Sequence, residues 1–262
     1  MRTTAMRRTA MTVSTVSFAL LVTACGGGGQ SGSDEGTSGK PAAKALTAAQ
    51  LEKAAVAKGD VKGHEIKKPG KADVLKPDAV SVENAACKPI AQAFSALPAA
   101  EPVASVQRLV VQESTKAKKG MPSTKELAEM TEKEAQEATF DSLDITKTLA
   151  SLWSYDGEGA EQTLGKLREA GKKCAGGFVM TIDGEKQKIT KVAEGKLSAG
   201  QDGVAWTLEQ KTDDGTVSTN VAVIRQGGTL AGFSSFNIAA AARGEAFDQP
   251  TAVIDAQAAK LG

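Results

Sequence analysis

His64 is the only histidine in the chain, and it stands in Gly63-His64-Glu65. A Ser-His-Asp or Cys-His nucleophilic site would have to be built on it. No serine carries a motif that would pair with it, and its surroundings read as a solvated position in a short strand. Asp141, Asp144, Asp156, Glu158 and Glu161 crowd one stretch, where two of them would be needed as acid and base. Such clusters are ordinarily solvated loop and helix-cap charges. The three cysteines are Cys25, Cys87 and Cys174. One histidine and two cysteines wanted elsewhere make no metal-ligand set. Gly26 to Gly29 and Gly227-Gly228 lack the Lys-Ser/Thr and the helix of a phosphate loop. The chain is therefore read as a non-enzyme with no metal and no cofactor.

Cys25 has a chemistry of its own. Arg2, Arg7 and Arg8 form a positive leader, and Met11 to Val22 is an apolar run of about 12 residues, too short to span a bilayer. Val22-Thr23-Ala24-Cys25 then looks like a bacterial lipobox, in which the thiol is acylated and becomes the new N-terminus. The alternative is an ordinary secretory signal with a chance cysteine. Twin-arginine export is disfavoured, because the apolar residues that should follow Arg7-Arg8 directly are absent. This divides the chain into a signal peptide over 1–24, a lipidated cysteine with a Gly/Ser-rich tether over 25–45, and one domain over 46–262. As a coil the tether would span about 25 Å. Its composition cannot bury enough apolar surface to fold.

If Cys25 carries lipid (palmitate among the acyl groups), Cys87 and Cys174 are left as an even pair in an exported chain, and a disulfide is the economical assignment. Two separate buried thiols are the alternative. The closed loop would constrain the unfolded chain by roughly 4–5 kcal/mol.

Bulk composition excludes several classes of function. Lys and Arg total 32 against 31 Asp and Glu, a net charge of +1. No field gathers nucleic acid. Aromatic residues are only 4%, too few for a stacking platform. Lys116, Lys118 and Lys119 form a modest basic run, but Glu126, Glu129, Glu132, Glu134 and Glu137 follow, so a solvated surface outweighs a headgroup contact. Trp153, Tyr155 and Trp206 would serve either a pocket or the core, and their scarcity favours the core.

The elements follow from periodicity. Thr47 and Gln50 have capping-box spacing, Leu51 and Ala55 mark a buried face, and Gly59 is expected to stop that helix. Val61 to Lys68 is a short strand. Val80 and Val82 lead into a second element. Pro89 opens a helix with Ile90, Phe94 and Leu97 on one side, ended by Pro98 and Pro102. Cys87 thus sits at a helix start. Val103 to Gln112 reads as a strand, and Ser114 to Thr139 as an exposed excursion in which Ser123 and Glu126 would cap a short helix. Leu143, Ile145, Leu149, Trp153 and Tyr155 share a face, predicting a long central strand interrupted by Lys147 and Ser151. Ala160, Leu164, Leu167 and Cys174 keep helical spacing, which puts the second cysteine at a helix end. From Phe178 to Phe236 the period is two, with turns at Asp183-Gly184, Asp213-Asp214-Gly215 and Gln226-Gly227-Gly228, predicting a meander of about five strands. Pro250 opens a last helix with Ile254, Ala258 and Leu261 on one side. The fold class is α+β, with one antiparallel sheet of about five to seven strands, flanking helices and the C-terminal helix docked on the sheet.

Several local patterns occur together: Leu46-Thr47-Ala48-Ala49-Gln50-Leu51, Gly59-Asp60-Val61-Lys62-Gly63-His64, Cys87-Lys88-Pro89, Cys174-Ala175-Gly176-Gly177-Phe178, and Val223-Ile224-Arg225-Gln226-Gly227-Gly228 before Leu230-Ala231-Gly232-Phe233. In these the chain resembles actinobacterial lipoproteins that are similar to the extracellular sensor domain of mycobacterial serine/threonine kinases, within a PsbP-like α+β group. The resemblance implies a curved antiparallel sheet with packed helices over Leu46 to Gly262. It also implies two disulfides in the kinase domain, whereas this chain has cysteines for one. The expected role is a non-catalytic, sensor-like domain anchored by lipid to the extracytoplasmic face of the cell membrane, binding a small molecule or an envelope protein. The alternative is a carrier of lipid or another hydrophobic ligand.

Overall fold

The computed structural model describes residues 44–197, 202–213 and 215–262. The leader, Cys25, most of the tether and Asp214 lie outside the described residues. Helix α1 (Ala48–Ala54) opens with the expected capping box. The Thr47 amide donates to Gln50 Oε1 at 2.9 Å, and the Gln50 amide donates to Thr47 Oγ1 at 3.3 Å. The helix ends at Ala54 rather than at Gly59, because Ala55 turns extended. The buried Gln257 amide takes the groups this exposes, donating to Ala54 O at 2.8 Å and accepting from Val56 N at 2.9 Å.

The described residues form an α+β fold around one open antiparallel sheet of nine strands. These are β1 (His64–Lys67), β2 (Val80–Val82), β3 (Ala104–Glu113), β4 (Ile145–Ser154), β5 (Phe178–Ile182), β6 (Glu185–Glu194), β7 (Asp202–Thr212), β8 (Gly215–Gln226) and β9 (Thr229–Asn237). They lie in the order β1-β3-β4-β9-β8-β7-β6-β5-β2. The predicted meander is β5 to β9, each paired with its sequence neighbour. Five to seven strands is an undercount, because the two edge strands hold only 4 and 3 residues. Asp183 and Gly184 turn the β5–β6 hairpin with φ of 48° and 86°, as a two-residue loop matched to strand twist requires.

The strand predicted as central is β4, third in the order; the middle position belongs to β8. Both faces of the sheet are covered, and this decides where the core sits. Helices α2 (Lys88–Phe94) and α5 (Gly159–Lys173) pack on one face over Trp153, Leu208, Val221, Val223 and Leu230. Helix α1 and the last helix, α7 (Thr251–Leu261), pack on the other over Ala150, Leu152, Ala222, Ile224 and Phe233. Ser218 to Ile224 on β8 are consequently all buried, without alternation. The excursion after β3 holds α3 (Thr124–Ala128) and α4 (Glu132–Ser142), each with a full capping box, Ser123 with Glu126 and Thr131 with Glu134. Helix α6 (Ile238–Arg243) follows β9 directly, capped by Asn237 Oδ1 accepting from the Ala240 amide at 2.7 Å.

Helix α2 stops at Phe94, four residues before Pro98. Ala96 takes a left-handed φ of 56°. Side chains of the sheet hold the end of the helix. Ser234 Oγ donates to Phe94 O at 2.6 Å, and Gln107 Nε2 and Ser151 Oγ donate to Ala96 O at 2.9 and 3.1 Å. Ser151, which interrupts the apolar pattern of β4, is thus a cap for another element.

Candidate functional site

Cys87 is the N-cap of α2 and Cys174 the C-cap of α5. The two are joined in a disulfide, with Cα atoms 5.8 Å apart and a sequence separation of 87. The bridge ties the start of one helix to the end of another on the same face of the sheet. Both sulfurs are buried in the core beside Ile90, Leu167 and Phe178.

A cleft of about 500 Å³ opens beside the bridged end of α5. Helix α5 supplies Arg168, Gly171 and Lys172, and Ala175 follows it. Strand β6 supplies Val192 and Glu194, and β7 supplies Gly203, Val204 and Trp206. Trp206 is a buried floor whose indole runs under α5. A Cβ on Gly171 would lie 2.5 Å from Trp206 Nε1, so a side chain there would displace the ring. A Cβ on Gly203 would collide with Val223 O.

The rim is charged. Arg168 Nη2 donates to Asp202 Oδ1 and Arg225 Nε to Asp202 Oδ2, each at 2.7 Å. Glu161 stands 3.9 Å from Arg225 Nη1. The Arg168 hydrogen bond, reinforced by Arg225, holds the Asp202 carboxyl below the usual carboxylate range, against the opposing effect of burial. A fixed carboxylate so positioned orients Arg168 at the cleft mouth. Apolar floor, two cations on α5 and one carboxylate opposite give a pocket able to hold a small amphipathic molecule.

Most of the other predicted residues lie elsewhere. His64 is on edge strand β1, with Nδ1 3.0 Å from Lys62 O. Strands β3, β4, β9 and β8 separate it from the cleft. It lines a smaller hollow of about 290 Å³ with Gln112, Thr146 and residues 247–252, and no serine or cysteine is among that lining. The five carboxylates do not converge. Asp141 pairs with Lys116 at 2.9 Å and Arg243 at 3.0 Å, and the Lys116 bond chiefly lowers its pKa. Asp144 accepts from Asn237 Nδ2, and Asp156 from the Ala45 amide. Glu158 precedes α5, and Glu161 belongs to its first turn. Trp153 and Tyr155 are core residues, and Trp206 belongs both to the core and to the cleft lining. Tyr155 donates to Ala100 O at 3.1 Å, and burial raises its phenol pKa.

Among the described residues, no group of three His, Cys, Asp or Glu side chains is placed to hold a metal ion. No helix among them is long and apolar enough to cross a membrane. Nothing in the spacing of Arg168, Lys172 or Glu194 marks them as rim residues. The usable signal was Gly171, a glycine inside a helical pattern, which marks a close approach.

No protein-family model matches the chain, and no curated protein matches it. Among solved structures, the chain is similar to the extracellular domain of PknH from Mycobacterium tuberculosis, at 11% identity and a TM-score of 0.48. The match covers 83% of this chain and 96% of that one. The likeness assigns neither ligand nor role.

Proposed function

We propose that this protein is a lipid-anchored domain on the extracytoplasmic face of the cell membrane, binding a small ligand without turning it over. The cleft between α5 and the β6–β7 pair carries this reading. It joins an apolar floor at Trp206 to a charged rim at Arg168, Lys172 and Glu194, while none of the acid, base and nucleophile candidates is among its lining residues. The leader and Val22-Thr23-Ala24-Cys25 support the anchor, and the Cys87–Cys174 bridge suits an oxidising compartment. Ligand exchange at the cleft would be read by tryptophan emission. Small aromatic carboxylates titrated into the full chain should shift that emission saturably, and Lys172→Glu should weaken the effect. A response unchanged by Lys172→Glu and by Gly171→Ala contradicts binding at this cleft.

A second reading, carriage of a lipid or other hydrophobic molecule, draws support from a groove of about 600 Å³ around α2, lined by Pro77, Pro89, Pro98 and Pro102 together with Lys88, Gln92 and Glu101. Native mass spectrometry of the purified chain separates the two readings, since a carrier retains lipid beyond any covalent acyl group.

A further inference from the structure

The charges of the cleft are balanced at one end and open at the other. On the rim, Arg168 and Arg225 each lie 2.7 Å from Asp202, and Glu161 stands 3.9 Å from Arg225. Lys172 and Glu194 are exposed lining residues with no ion-pair partner among the described residues. They stand on different walls, Lys172 in the last turn of α5 and Glu194 at the end of β6. Lys172 follows Arg168 by four residues, which puts both on the same side of α5. Glu194 is the direct cross-strand partner of Trp206. Their side chains therefore leave the same face of the sheet, with Cβ atoms about 4.5–5.5 Å apart. A carboxylate thus stands beside the indole, and an ammonium on the helix that crosses it.

The indole itself offers a donor. Trp206 is 4% exposed, yet its N–H has no acceptor among the described residues. It is not sealed in, for the buried side-chain atoms without a partner are Ser95 Oγ and Gln249 Oε1. Nε1 lies 2.5 Å from where a Cβ on Gly171 would stand, so the missing side chain at 171 leaves this edge of the ring open to the cleft. A ligand that covers the edge without supplying an acceptor would leave that donor dry, at a cost. We propose that the cleft takes a zwitterion, a free amino acid or short peptide, with its carboxylate at Trp206 Nε1 and Lys172 and its ammonium at Glu194. This rests on the cleft being a ligand site and names the chemistry of what it holds. At about 500 Å³ the cleft falls within the span of about 300–1,000 Å³ usual for small-molecule sites. Val192 and Val204 supply an apolar surface for the ligand's side chain.

The test is calorimetric titration of the full chain with phenylalanine and with alanylphenylalanine, each also as its N-acetyl form and its C-terminal amide. Acetylation removes the cation and amidation the anion, the ring is unchanged, and the two parents differ in the spacing of their charges. The proposal expects at least one parent to bind about tenfold tighter than both of its capped forms. Glu194→Gln should bring that parent down to the affinity of its acetylated form, whose own binding is not weakened. Lys172→Met should bring it down to the affinity of the amide. By proton NMR, one of the two indole N–H signals should move downfield with the parent and the acetylated form, and not with the amide. An acetylated form that binds as tightly as its parent, with Glu194→Gln changing neither, overturns the zwitterion and leaves the cleft a site for a simple anion. Indole signals unmoved by a parent that binds overturn the placement of the carboxylate. If no compound of the series binds while other aromatic carboxylates still shift tryptophan emission, the zwitterion alone falls; if those fail too, the cleft reading falls with it.

Discussion

Removing the Cys87–Cys174 bridge should cost this domain a large share of its stability. The perturbation is the double substitution Cys87→Ala with Cys174→Ala. Alanine is preferred because both sulfur positions are buried, and a serine hydroxyl without a partner would add about 1–3 kcal/mol of its own. The bridge closes a loop with a sequence separation of 87. For that length, the chain-entropy relation gives about 4.6 kcal/mol at 25 °C, within the span of about 2–5 kcal/mol found when native bridges are removed. At about 2–4 °C per kcal/mol for a domain of this size, Tm should fall by roughly 9–18 °C. The loss should also be local. Helix α5 carries Arg168, Gly171 and Lys172 of the cleft, and its end is fixed to the start of α2 by the bridge. Urea unfolding gives the magnitude, and hydrogen exchange over 168–177 gives the place. A loss below about 1 kcal/mol would refute the loop-closure reasoning. Free thiols at both positions in the unfolded, unreduced chain would refute the bridge itself.

Three further outcomes follow from single contacts. Gly171→Ala should destabilise by about 1–3 kcal/mol and shift tryptophan emission, because the new methyl overlaps the Trp206 indole; unchanged emission and stability would deny the close approach. Gln257→Leu should cost about 2–4 kcal/mol in urea unfolding, since Val56 N and Ala54 O both lose a buried partner. Acid should weaken the domain as well. Asp202, Asp141, Glu52 and Asp60 all have lowered pKa values through bonds to Arg168, Lys116, Lys68 and Lys260 respectively. In that case the unfolded chain binds protons first, so stability is full above the ordinary carboxylate range near pH 4 and falls as pH drops below it. Asp202→Asn should flatten part of that fall in a pH series of urea midpoints, and an unaltered slope would count against the Arg168–Asp202–Arg225 cluster.

Local chemistry was legible in the sequence where one element satisfied itself. The Thr47–Gln50 box, the β5–β9 meander and its glycine turns are each decided within a few residues. Contacts between distant elements were not. Gly59 looked like a helix stop, but Gln257, about 200 residues away in sequence, ends α1 sooner. Ser151 looked like a flaw in an apolar face, and its role as a cap for α2 depends on tertiary placement. Leu143 to Tyr155 suggested one buried face, because nothing in the period reveals that helices cover both sides of the sheet. Helix α6 was missed because Ile238-Ala239-Ala240-Ala241-Ala242 continues straight from a strand with no polar alternation to mark the change. The cleft was least legible of all. Its rim residues come from α5, β6, β7 and β8, and only Gly171 hinted that a ring passes close beneath.

The central claim is a ligand-binding domain held on the outer membrane face by lipid on Cys25. Intact mass of the chain extracted from cell membranes tests it most directly. The account predicts a mature chain that begins at Cys25 and carries a diacylglyceryl group, with the protein in the membrane fraction. A chain with an unmodified Cys25, recovered in the aqueous fraction, would contradict it.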